Sequence, residues 1–180
     1  MKRTLLSVLI LFLVTTSFGN NNNKGLVNGF KGVFEPAYQF GVGEYGLDRF
    51  KVNLIGGYQF NPYVSIGVGS GLRYYFNNSN ALVPLIFDLK INFMNRKVSP
   101  YFSISAGYNF NAFNSFKKAG YLINPAIGVC IRVYEKSALY LGFEIEAQQK
   151  DFVNYYGSYF GYIKETKHSY SMSLNLGLTF

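Results

Sequence analysis

From about Phe34 to Phe180 apolar and polar positions alternate with a period of two, the mark of strands with two unlike faces. In the first run Phe34, Pro36, Tyr38, Phe40 and Val42 share one face, and Glu35, Ala37, Gln39 and Gly41 share the other. In the second, Phe50, Val52, Leu54, Tyr58 and Phe60 oppose Lys51, Asn53, Gly57 and Gln59. In the third, Val64, Ile66, Val68, Leu72, Tyr74 and Phe76 oppose Ser65, Gly67, Gly69, Gly71, Arg73 and Tyr75. Further apolar faces are Leu85–Phe93, Phe102–Phe110, Ile127–Val133, Leu139–Ile145 and Tyr170–Phe180, each taken at every second residue. Eight strands are predicted. Outside the N-terminus no segment carries a helical period.

The connectors alternate as well. Asn61-Pro62, Met94–Ser99 and Tyr134–Ser137 read as short turns. Between them fall Gly43–Asp48, Asn77–Asn80, a loop at Asn111–Gly120 and a long one near Lys150–Lys167. Short turns at one end and longer loops at the other describe an up-and-down meander. The N-terminus has its own pattern: Lys2 and Arg3, an apolar core over Leu5–Val14, and small residues at Ser17 and Gly19. The core is too short to span a bilayer as a helix, and the arrangement predicts a secretory signal peptide over 1–19. A polar lead-in over 20–29 comes next, and the barrel domain is expected over 30–180.

Eight alternating strands suit either a soluble barrel with an apolar interior or a membrane barrel with an apolar exterior. The apolar face carries Phe or Tyr in nearly every strand, too bulky for an eight-stranded interior. The opposite face is rich in Gly, Ser, Ala and Asn, which a narrow lumen accepts. Of the 180 residues 19% are aromatic and only 14% charged, against about 25% charged in ordinary soluble domains. An Arg or Lys facing lipid at mid-bilayer costs about 2–4 kcal/mol, and the apolar faces carry none. The small-residue faces carry Glu35, Asp88, Glu144 and Glu146 together with Lys51, Arg73, Lys90 and Arg132. Four acids and four bases are expected to pair across the lumen, because an unpaired buried charge is costly. The expected fold is all-β, an eight-stranded antiparallel up-and-down transmembrane β-barrel.

With its signal peptide, its eight alternating runs and its last strand, Ser169–Phe180, the chain resembles the small eight-stranded outer-membrane barrels of the OmpA/OmpX type and, more loosely, porin-like outer-membrane barrel domains. In that family a terminal aromatic with alternating hydrophobic residues before it is the recognition signal for the outer-membrane assembly machinery. Tyr170, Leu176, Leu178 and Phe180 match it, whereas Asn175 stands where the fuller signal often has glycine. The resemblance implies a bacterial outer-membrane location, with termini and short turns in the periplasm. It also implies outer-membrane lipids, lipopolysaccharide and the assembly machinery as partners. These barrels serve as adhesins, anchors, lipid-modifying enzymes and minor pores, so fold alone does not choose among them.

The expected role is structural or surface-interaction through the extracellular loops, with the lumen closed by its paired charges. The alternative is a narrow porin-like channel lined by the same charges; a more distant one is a lipid A-modifying enzyme. For the enzyme, His168 would lie near the outer rim, but His168-Ser169-Tyr170-Ser171 lacks the His-x-Ser spacing of the deacylases. No catalytic residue is assigned. Aromatics in Lys150–Ser169 supply either an adhesive loop or an extension of the last two strands. Lys117, Lys118, Lys150, Lys164 and Lys167 are placed to meet lipopolysaccharide phosphates. One cysteine, Cys130, and one histidine make no metal cluster, and neither metal nor cofactor is expected. Lys and Arg are scattered, which argues against a nucleic-acid partner.

Overall fold

A computed structural model describes residues 26, 28–76, 80–112, 116–134, 137–155 and 162–180. The expected signal peptide and most of the polar lead-in lie outside the described residues. Eight strands succeed one another: β1 (Gly29–Val42), β2 (Arg49–Gln59), β3 (Val64–Tyr75), β4 (Asn80–Asn92), β5 (Val98–Asn111), β6 (Lys118–Arg132), β7 (Ala138–Tyr155) and β8 (Tyr162–Thr179). Each pairs antiparallel with the next, and β8 pairs with β1 to close the barrel. Closure leaves no sheet edge within the wall, as the interior of a bilayer requires.

The wall is strongly staggered. Followed along paired residues, Val33, Ile55, Gly69, Ile86, Gly107, Leu122, Gln148 and Ser169 form one row. The row reaches β8 at Ser169, ten residues short of Thr179, the residue that pairs with Val33. Such a stagger goes with strands tilted by about 35–45° and fixes which side chains meet across the lumen.

Several boundaries differ from the sequence expectation. β1 starts at Gly29 rather than Phe34, and β6 at Lys118 rather than inside the run at Ile127. Of the two readings of the stretch near Lys150–Lys167, a long loop or an extension of the last two strands, the described residues take the extension. β7 pairs with β8 up to Tyr155↔Tyr162, well beyond Leu122↔Gln148, the last pair it makes with β6 among the described residues. The two form a ribbon rising past the wall. Backbone pairing across a hairpin needs no strict apolar alternation, and Lys150–Lys167 shows none.

The two faces are sharply divided. Leu54, Val68, Leu85, Ile127 and Leu174 point outward and are at least 60% exposed. The largest apolar patch on a typical soluble monomer is about 300–600 Å². A coat of this kind running round the whole wall is solvated by hydrocarbon, so the barrel is a transmembrane one. Ring contacts gather at its two rims. Phe30–Tyr58 and Tyr58–Phe60, both with centroids 5.2 Å apart, lie at the end that holds the chain terminus. Tyr38–Phe40 at 4.8 Å, Tyr74–Phe76 at 5.6 Å and Tyr108–Phe110 at 6.0 Å lie at the other. Aromatic belts of this kind mark the two membrane–water boundaries.

Candidate functional site

The lumen holds the densest set of ionisable groups, and it is filled. Period two carries Arg49, Lys51 and Asn53 of β2 inward together, facing Glu144 and Glu146 of β7 across the barrel. At the end away from the termini, Glu146 binds Arg49 at 3.0 Å and Arg73 at 3.1 Å. Arg49 also donates to Gln39 (2.7 Å) and to Ser171 (2.5 Å), and its guanidinium lies 5.4 Å from the centre of the Tyr75 ring. Tyr75 in turn donates to Gln148 at 2.6 Å.

One layer down, Glu144 is a hub. One carboxylate oxygen pairs with the Lys51 ammonium and accepts from Ser173 at 2.6 Å. The other accepts from the Asn124 and Asn175 amides, each at 3.1 Å. Arg73 also donates to Asn53 at 2.6 Å, and Asn53 donates in turn to Glu35 at 3.4 Å. Nearer the termini Lys90 bridges Glu35 at 2.7 Å and Asp88 at 3.3 Å, and Ser105 donates to Asp88 at 2.7 Å. All these carboxylates and cations are buried. Shared hydrogen bonds of this number are what make buried charge tolerable.

All eight charges expected in the lumen lie inside it, and all but Arg132 pair with an opposite charge of the expected set. Arg132 meets no carboxylate among the described residues. It donates to the carbonyls of Arg96 (2.6 Å), Met94 (2.9 Å) and Pro62 (3.1 Å) and to the Asn95 side chain (3.3 Å). It therefore ties the β2–β3 and β4–β5 turns to the end of β6. Its place among the paired charges belongs to Arg49, which sequence reasoning missed although it is in phase with Lys51. Lys31 was missed for the same reason. It is in phase with Glu35 and donates to Ser65 (2.6 Å) and Gln59 (3.1 Å).

Apolar groups inside the barrel were also missed. Val33, Ile55, Ile86 and Leu122 form a buried cluster along the staggered row described above. Gly69 and Gly107 occupy the same row, and a Cβ on Gly69 would come within 2.8 Å of the Ile55 side chain. The period-two glycines therefore make room for neighbours to lean over. A second cluster, Leu26, Tyr101, Cys130, Ala138 and Tyr140, fills the mouth at the terminal end. Leu26 precedes β1, so the chain folds back over the mouth before entering the wall.

The remaining candidates separate. His168 faces outward, exposed, with its Nδ1 3.5 Å from the Tyr121 hydroxyl. Ser169 faces the lumen and is fully buried. The wall stands between them, and they form no catalytic pair. Cys130 is a free thiol within the Leu26 cluster. Of the C-terminal set, Tyr170, Leu176 and Leu178 point outward, while Phe180 lays its ring over Gly32 and exchanges backbone hydrogen bonds with it at 2.7 and 3.0 Å. No group of metal ligands occurs among the described residues.

No protein-family model matches the sequence, and no curated protein matches it. Solved structures do match in fold. Neisserial surface protein A (NspA) superposes with a TM-score of 0.62 at 16% identity, over 83% of this chain and 95% of that one. The outer membrane protein OprG from Pseudomonas aeruginosa gives 0.50 at 13% identity, over 88% and 99%. The outer membrane protein AlkL, solved in DMPC lipid bilayers, gives 0.50 at 10% identity, over 90% and 93%. By its closed wall, its apolar exterior and these likenesses, the chain has the fold of the small eight-stranded outer-membrane β-barrels.

Proposed function

We propose that this protein resides in the bacterial outer membrane as a closed barrel and acts by structure and surface interaction, not by catalysis. Its extracellular connections, above all the β7–β8 ribbon, are the contact surface. One observation carries this reading: Arg49, Lys51 and Arg73 are fully buried in the lumen, each against a carboxylate, with an apolar cluster packed beside them. A lumen filled in that way holds a wall rigid and leaves its outer ends to do the work. The start of β1 and the end of β8 share one end and the β7–β8 ribbon projects from the other, which supports a periplasmic and an extracellular side. Outer-membrane lipid, lipopolysaccharide and the assembly machinery are the expected partners, the last through Tyr170, Leu176, Leu178 and Phe180.

A narrow channel is the competing reading, and one observation favours it. Asn109, Gln148 and Ser169 keep buried polar atoms without a protein partner toward the far end of the lumen. Buried atoms of this kind are commonly satisfied by water. Single-channel recording of the refolded protein in planar bilayers, beside Glu144→Ala/Glu146→Ala, decides between the two. A silent wild type is expected. Steady ion-selective openings that change in the double variant would replace the closed barrel with a channel.

A further inference from the structure

The apolar coat has a gap in it at the terminal end of β1, β2 and β3. Gly32 and Gly56 are cross-strand partners and both face outward; the Phe180 ring lies over Gly32, so the open floor is Gly56. Gly32 has a steric reason to be glycine, since a Cβ there would lie 2.5 Å from the Phe180 ring. Gly56 has none: a Cβ there meets nothing within 4 Å. Every other outward position of β2 carries a larger apolar side chain, from Phe50 to Tyr58. Glycine inside a strand weakens it and often marks a place where another molecule comes close.

The surroundings turn this gap into a cleft of about 480 Å³. That falls within the roughly 300–1,000 Å³ typical of small-molecule sites. The Phe30–Tyr58 ring pair closes one side and the Phe180 ring another, while Val68 of β3 and Phe87 of β4 form the third. We infer that this cleft holds one acyl chain of a membrane phospholipid from the leaflet on the terminal side. The inference rests on the transmembrane reading of the barrel. The wall around the cleft faces hydrocarbon, so the occupant is drawn from that phase. The open floor is one strand wide, between the Phe180 ring over β1 and Val68 on β3, and neighbouring strands lie about 5 Å apart. That width suits a single extended chain and is too narrow for a helix about 10 Å across. Each methylene withdrawn against the rings and backbone gains close packing that a smooth wall does not offer.

The test is photolabelling in liposomes of phosphatidylethanolamine doped with a phosphatidylcholine bearing a diazirine on its acyl chain. After refolding and irradiation, labelled peptides are mapped by mass spectrometry. Severalfold enrichment is expected on peptides holding Phe30, Tyr58 and Phe180 over those holding Ile127 and Leu174, which are more exposed than Tyr58. Gly56→Leu, which fills the floor without meeting backbone, is expected to abolish the enrichment. Even labelling round the wall, or enrichment that survives Gly56→Leu, overturns the inference. So does cross-linking of two copies through this face in place of lipid. Failure of the wild type to insert sinks the transmembrane reading and this one together, whereas insertion with even labelling sinks the cleft alone. If Gly56→Leu fails to fold, Gly56→Ala replaces it, and the wild-type map decides on its own.

Discussion

Glu144→Gln changes one buried group without changing its size, and the lumen geometry sets the cost. The native carboxylate receives donors on both oxygens: Lys51 and Ser173 on one, Asn124 and Asn175 on the other. A glutamine amide offers one acceptor oxygen and one NH₂ group. Whichever way it turns, the NH₂ faces two donors, and Lys51 stays fully buried with its carboxylate gone. Breaking a buried ion pair by removing one partner costs about 3–5 kcal/mol, and that is the expected loss here. Urea unfolding of protein refolded in phospholipid vesicles measures it, provided that folding is reversible and two-state. Lys51→Met and the double variant complete a cycle. With both charges gone the double variant should be less damaged than the sum of the single losses, by about 1 kcal/mol or more. A Glu144→Gln loss under about 1 kcal/mol, or a strictly additive cycle, refutes the claim that this pair organises the lumen.

Two further outcomes are expected at the terminal mouth. Arg132→Ala removes the donor that holds the carbonyls of Pro62, Met94 and Arg96; hydrogen bonds to charged groups contribute about 1.5–3 kcal/mol each. Amide exchange should quicken at the turns around 61–63 and 93–97 while strand amides near Glu146 stay protected, and equal protection of the turns contradicts the tie. Leu26→Asp should uncover Cys130: a maleimide that leaves the folded wild type unlabelled should react with the variant, and an unreactive variant means that Leu26 does not cover the mouth.

Much of this architecture was legible because a strand has the simplest of periods. Alternation alone assigns a side chain to the inside or the outside, so it suffices to put Lys51, Arg73, Glu144 and Glu146 in the lumen. Where alternation stops carrying information the expectation failed. Arg49 begins β2 directly after the Asp48 turn, and nothing local separates a turn residue from the first inward one. The β7–β8 ribbon continues past the last β6–β7 pair among the described residues, and its sequence has no strict alternation to read.

The sequence by itself determined the number of strands, their order and the face of most strand residues, because those are consequences of a two-residue period and of turn placement. Only the closed barrel decided who meets whom. A ten-residue stagger sets β2 against β7 across the lumen, brings Glu146 to both Arg49 and Arg73, and sends Arg132 to backbone carbonyls instead of a carboxylate. It also lines up Val33, Ile55, Ile86 and Leu122 from four different strands into one cluster. Pairing across the strand and stagger around the ring are properties of the whole circle. No window of the sequence contains them.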